Sequence, residues 1–290
     1  MNNYSSFSTI RRYNWQHRTL AILKLAAFLM FAGRAWQHLF WDAPFRVLLW
    51  DQELMESLVG MPWEEYLKSE EINQQIDAII KVFGGFYAIC ALVVLFIKQV
   101  SKRVGKVLLL GSLSLLFLFV LGWKAKDYQV VQLFEHAVQF MTPIFLYLVV
   151  FKKSEPANLA KPVRITVAIT FICHGLYALG FPYPQPGNFI DMTMRILGCD
   201  QEMASYFLMA AGVLDLIVSL MIFFPPRISN PALLYAVIWG FLTALARTVA
   251  YYDAGDIMTS LSQWVFQTAV RVPHALLPAL VFFWQTPKIK

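Results

Sequence analysis

Residues 203–224 read MASYFLMAAGVLDLIVSLMIFF, an apolar run in which Asp215 carries the one formal charge. A bilayer core is crossed by roughly 20 mostly apolar residues in a helix, so this stretch is long enough to span. Outward from it, seven more runs of the same character appear, near 19–41, 76–97, 104–123, 130–151, 163–182, 231–252 and 262–284. The chain of 290 residues is 58% hydrophobic and 14% charged. An ordinary soluble domain is nearer one half and one quarter, so these values exclude a soluble fold, a disordered chain and a coiled coil. The expectation is an all-α integral membrane protein with eight transmembrane helices, arranged as two pseudo-symmetric four-helix bundles. The lipid bilayer is its first partner.

The formal charge of +6 is not gathered into a nucleic-acid patch. It divides by side instead. Arg11, Arg12, Arg18, Lys98, Lys102, Arg103, Lys106, Lys152, Lys153, Lys161, Arg164, Arg227, Lys288 and Lys290 fall on one side of the eight spans. Arg46, Lys68, Lys124, Lys126 and Arg195 fall on the other. By the positive-inside rule both termini are cytoplasmic. Residues 44–63 mix Leu, Val and Trp with charge at helical spacing, which predicts a helix lying along the external surface. Cys90, Cys173 and Cys199 form no CxxC pair, and no spaced ligand set points to a metal.

Two stretches predict an internal duplication. QLFEHAVQFMTP from Gln132 lies over QTAVRVPHALLP from Gln267, matching Gln132 to Gln267, His136 to Arg271, Gln139 to His274 and Pro143 to Pro278. Arg34 falls on His174, the tripeptide Asp51–Glu53 on Asp200–Glu202, and GGFYAICALVVLF from Gly84 on AGVLDLIVSLMIF from Ala211. The expected organisation is a tail at 1–17, a first repeat at 18–153 with the external amphipathic segment, a linker at 154–162 and a second repeat at 163–290.

Each half resembles the DoxX-like group of four-helix bacterial membrane proteins. The resemblance rests on HGLYALGFPYP from His174, the external segment with its amphipathic stretch, and AGVLDLIVSLMIFF from Ala211, with Asp215 as the acid of a small-residue-then-acid pattern. The first half has GGFYAI at that place and lacks the acid. What the resemblance implies is a bacterial plasma membrane protein, and for some relatives a membrane subunit of quinone-linked sulfur oxidation.

Ionisable groups within spans cost about 2.5–3.5 kcal/mol at the bilayer centre on insertion scales, so they are expected to face protein or water. Here they lie on stripes. Arg34, Gln37, His38 and Trp41 share one helical face, as do Gln132, Glu135, His136 and Gln139. Thr166, Thr170, His174 and Tyr177 form a third stripe; Gln263, Gln267, Arg271 and His274 a fourth; and Tyr235, Trp239, Thr243, Arg247 and Tyr251 a fifth. If the first and last helices of each repeat adjoin, Arg34 meets Glu135 and His136, and His174 meets Arg271 and His274. Such groups also serve as plain interhelical hydrogen bonds. As a set they predict outward-facing polar pockets, one or two, with Arg34, His38, Glu135, His136, His174, Asp215, Arg247, Arg271 and His274 as ligand-binding residues.

Arg supplies fixed donors and His exchanges protons near neutral pH, a combination suited to the carbonyls of a quinone or to an anion. The functional expectation is therefore a quinone-like or other amphiphilic ligand, with a redox partner protein where the chain serves as a subunit. Two alternatives stay open. One is a small-solute transporter, for which Gly84, Gly85, Pro143, Pro273 and Pro278 would loosen helices. The other is b-type haem held by His38, His136, His174 or His274.

Overall fold

The computed structural model describes residues 3–285, with side chains from Trp15 onward. Arg11, Arg12, Lys288 and Lys290, which entered the charge asymmetry, lie outside the described side chains. Fifteen helices and no strand are found among the described residues: α1 (Asn3–Phe40), α2 (Arg46–Leu49), α3 (Gln52–Val59), α4 (Trp63–Lys68), α5 (Glu70–Leu95), α6 (Lys102–Gly105), α7 (Val107–Lys124), α8 (Val130–Phe134), α9 (Ala137–Phe151), α10 (Pro156–Leu179), α11 (Gly187–Leu197), α12 (Gln201–Met221), α13 (Pro226–Ala250), α14 (Ile257–Arg271) and α15 (Pro273–Gln285). Eight stretches are long and apolar enough to cross a bilayer: α1 from Trp15, α5, α6 with α7, α8 with α9, α10, α12, α13, and α14 with α15. The protein is an all-α polytopic membrane protein.

The spans α1, α9, α10 and α15 pack against one another at the centre. Around them, α5 lies on α1, α7 on α9, α12 on α10 and α13 on α15. One hydrophobic core runs through both halves, from Leu23, Met30 and Phe31 to Leu277 and Val281. Two close helix crossings depend on missing side chains. A Cβ on Gly212 would stand 2.6 Å from the Gly175 carbonyl oxygen, so α12 lies directly on the α10 backbone. A Cβ on Gly240 would stand 2.5 Å from the His274 carbonyl oxygen, which seats α13 on α15. Small residues at such crossings let membrane helices approach where lipid offers no hydrophobic drive.

The fourth and eighth spans are broken. Between α8 and α9 the break falls at Glu135 and His136, and between α14 and α15 it falls at Val272. The second break has a covalent cause, because Pro273 has no amide hydrogen and its ring crowds the preceding turn. At the first, the Val138 amide is taken up by Thr170 Oγ1 at 3.2 Å, a side-chain substitute for the missing helical acceptor. Elsewhere the expected loosening is absent: helix continues through Pro143, Pro278 and the Gly84–Gly85 pair.

Several boundaries differ from the sequence reading. Helix α1 begins at Asn3, so the segment ahead of the first span is helical from residue 3 and joins the span at Trp15 without a break. The linker is shortened because Pro156 sits in the first turn of α10, where its fixed φ favours helix. The single surface helix expected at 44–63 is two short ones, α2 and α3, since Asp51 starts a new helix by accepting from the Leu54 amide at 3.1 Å; α4 follows from Trp63. The two aligned tripeptides are not structural equivalents: Asp51 caps the surface helix α3, whereas Asp200 caps the span α12.

Candidate functional site

The polar stripes converge near the end of the bundle that carries α2–α4 and α11, called here the distal end. Glu135 and His136 stand at the break of the fourth span, five and six residues beyond the start of α8. His174 is about one and a half turns before the end of α10, and Arg247 about one turn before the end of α13. Arg271 and His274 flank the break at Val272. These six side chains line one cavity of about 370 Å³. Volumes of roughly 300–1,000 Å³ are usual for small-molecule sites.

Glu135 is the hub of the inner wall. Gln132 Nε2 donates to its Oε1 at 2.9 Å, His136 Nε2 lies 3.2 Å from the same oxygen, and His174 Nδ1 lies 3.8 Å from Oε2. The His174 and His274 rings meet edge to face with centroids 5.3 Å apart. His274 Nδ1 donates to the Arg271 carbonyl oxygen at 2.9 Å, and its Nε2 is 3.4 Å from the Glu135 carbonyl oxygen. Arg271 donates to the Gln267 carbonyl and side-chain oxygens at 3.1 and 2.8 Å. Deeper in the cavity Asp215, 2% exposed, accepts from Tyr235 Oη at 3.0 Å.

The outer wall is apolar. Phe207 of α12, with Leu242 and Val249 of α13, lines the cavity while remaining largely exposed on the bundle surface. The lining of the cavity thus reaches the exposed faces of α12 and α13. Beside it at the distal end runs α11, whose Phe189, Met192 and Thr193 line the cavity, with Ile196 at its exposed edge. Arg195 and Tyr251 tie α11 to α13. Tyr251 Oη donates to Asp191 at 2.8 Å, Arg195 donates to the same carboxylate at 3.0 Å, and the Arg195 guanidinium lies 5.3 Å from the centre of the Tyr251 ring. The Tyr251 hydrogen bond, helped by Arg195, holds the Asp191 carboxyl below its usual range.

The expected residues divide into two groups. Glu135, His136, His174, Asp215, Arg247, Arg271 and His274 come together at the cavity. Arg34 and His38 do not line it. Arg34 donates to Gln37 at 2.8 Å and Gln139 at 2.9 Å rather than to Glu135, and its guanidinium lies over the Phe119 ring. His38 Nδ1 donates to the Arg34 carbonyl oxygen at 2.7 Å, and its ring is packed against Phe45 and Tyr87. In the first half, Phe119 and Tyr87 occupy the space beside these groups; Phe119 also packs on His136, with centroids 4.4 Å apart. Helix α11 adds residues to the cavity that were not among those expected from the sequence. Its signal was available: Phe189, Met192, Thr193 and Ile196 recur at helical spacing after a Pro-rich turn.

No protein-family model, curated protein or solved structure matches the chain in comparisons with each.

Proposed function

We propose that this polytopic membrane protein binds an amphiphilic small molecule, quinone-like in its combination of polar head and apolar body, in the lateral cavity of its second half. The observation that carries the reading is one cavity with two chemically opposite walls. Arg247, Arg271, His174 and Glu135 supply the inner one, and Phe207, Leu242 and Val249 supply a wall continuous with the lipid-facing surface. A bilayer-dissolved ligand reaches such a site sideways, head first, without crossing water. In this reading Arg247 and Arg271 hold the head, Glu135 orients His136 and His174, and Trp239 and Asp215 close the deep end. Arg34 acts at one remove, fixing Gln139 beside His136.

The tandem DoxX-like organisation belongs to the same proposal. It is supported by the parallel use of first and second spans, α1 on α5 and α10 on α12, and by breaks at nearly matching places in the fourth and eighth spans. So does the orientation, with both termini cytoplasmic and the cavity toward the external leaflet of a bacterial plasma membrane, supported by the asymmetry of Lys and Arg in the loops. A redox partner protein is compatible with a quinone-like ligand and follows from the resemblance alone.

The test is mass spectrometry of the small molecules released from protein purified in mild detergent. An amphiphile present with wild type and depleted from Arg271→Gln supports the reading. Bulk lipid alone, in equal amount from both, ends it. A second reading, transport of a small solute, is favoured by the two broken spans, a feature of transporter binding sites. Uptake into proteoliposomes decides it. Haem has less support, because both ring nitrogens of His274 face carbonyl oxygens and the His38 ring is enclosed by aromatic side chains.

A further inference from the structure

The cavity holds more cationic donors than its own residues use. Among the described residues, the Arg247 guanidinium makes no hydrogen bond, and no carboxylate lies within 4 Å of it or of the Arg271 guanidinium. Arg271 is bonded through Nη1 alone, to Gln267. The two acids of the cavity make their close contacts with other groups, and Glu135, the carboxylate that acts electrostatically on both guanidiniums, does so from beyond contact distance. Glu135 takes the Gln132 amide and faces two imidazoles, while Asp215 takes the Tyr235 hydroxyl.

A guanidinium has five N–H donors and no acceptor, and it keeps its charge inside proteins. Two of them on a membrane cavity wall, without a protein anion in contact, are costly unless something else supplies the counter-charge. A neutral carbonyl satisfies donors but leaves the charge. An oxyanion does both, and its two or three oxygens match the planar fork of the guanidinium.

We infer that the natural ligand carries an anionic head, a carboxylate or a phosphate monoester on an apolar chain, held between Arg247 and Arg271. This rests on the lateral-cavity reading above and sharpens it, selecting among amphiphiles by the charge of the head. The chain would lie along Phe207, Leu242 and Val249, with Trp239 beside it in the cavity wall.

Trp239 makes the inference measurable, because bromine quenches indole fluorescence on contact. The protein is placed in nanodiscs of uncharged phosphatidylcholine and titrated with 11-bromoundecanoic acid, 11-bromoundecyl phosphate and 11-bromoundecan-1-ol. The Trp239 signal is taken as the difference between wild type and Trp239→Phe, which removes the contribution of the other tryptophans. The acid or the phosphate is expected to quench at about tenfold lower concentration than the alcohol, the scale of one charge-assisted contact. Arg247→Gln is expected to remove that preference, so that acid, phosphate and alcohol quench over one concentration range, while Arg247→Lys keeps part of it. Should Arg271→Gln fail to fold, the Arg247 pair carries the test. Equal quenching by acid, phosphate and alcohol overturns the anionic head but leaves an amphiphile site standing. Absence of specific quenching by all three overturns the cavity reading with it.

Discussion

Glu135 and His174 face each other with Oε2 and Nδ1 3.8 Å apart, although they belong to different halves of the chain. The contact exists because the fourth span breaks at Glu135 and its second segment, α9, packs on α10, which carries His174. His274, from the last span, closes the group against His174. The candidate site is thus shared: the first half contributes an acid and an imidazole to a cavity otherwise built by the second.

Because Glu135 works as an acceptor for Gln132, substituting it separates charge from hydrogen bonding. Glu135→Gln keeps an acceptor in place and is expected to change unfolding stability by less than about 1 kcal/mol. Glu135→Leu leaves Gln132 and the neighbouring imidazoles without it, costing about 1–3 kcal/mol. Thermal unfolding in one detergent compares them, and equal losses would refute the hub assignment.

The crossing of α10 and α12 predicts a sharp contrast between two glycines. Gly212→Ala drives a methyl into the Gly175 carbonyl and the Leu179 amide, backbone atoms that cannot yield cheaply. A loss of about 1–3 kcal/mol is expected. Gly85→Ala in α5 meets no atom within 4 Å and is expected to be neutral or slightly stabilising. Similar melting temperatures for both would contradict the crossing.

Filling the cavity from its wall tests occupancy without touching charge. Thr243, whose hydroxyl bonds only to carbonyls of its own helix, lines the cavity. Thr243→Trp is expected to abolish the co-purifying amphiphile while moving the melting temperature far less than Gly212→Ala does. Retention of the ligand at wild-type levels would place it elsewhere.

Cysteine chemistry reports orientation. Cys90 and Cys173 are buried, whereas Cys199 is partly exposed in the turn between α11 and α12 at the distal end. A membrane-impermeant maleimide added to intact spheroplasts is expected to label wild type and not Cys199→Ser. Labelling that requires lysis would invert the proposed topology.

The tie between α11 and α13 depends on pH in a defined sense. Asp191 is held below its ordinary value of 3.8 by Tyr251 and Arg195. A carboxyl depressed by folding contributes fully above its unfolded value and loses that contribution as pH falls through the lowered folded value. Hydrogen exchange in α11 is expected to quicken, relative to the other distal segments, only below about pH 3.8. Tyr251→Phe should show the faster exchange already at neutral pH. Identical exchange in wild type and Tyr251→Phe would mean that other contacts hold α11.

Much of this molecule was legible from its residues. Backbone groups in hydrocarbon must be satisfied within the segment, so eight apolar runs could only become eight helices, and charged side chains had to turn inward. The stripe Tyr235, Trp239, Thr243, Arg247 and Tyr251 was readable for the same reason, and three of its members line the cavity. Which stripes would meet was not legible. Arg34 has the spacing of a site residue, yet it turns to Gln37 and Gln139, a choice between polar partners on neighbouring helices that no periodicity encodes.

Span number, span boundaries to within about two turns and the inward placement of ionisable groups follow from composition and helical period, because the bilayer imposes them on each segment separately. The cavity beside α12 and α13, its cover by α11 and the different surroundings of the polar groups in the two halves arise from packing between segments. Phe119 and Tyr87 pack beside Arg34 and His38, whereas Glu135, His174, Arg247 and Arg271 line a cavity walled by α12 and α13.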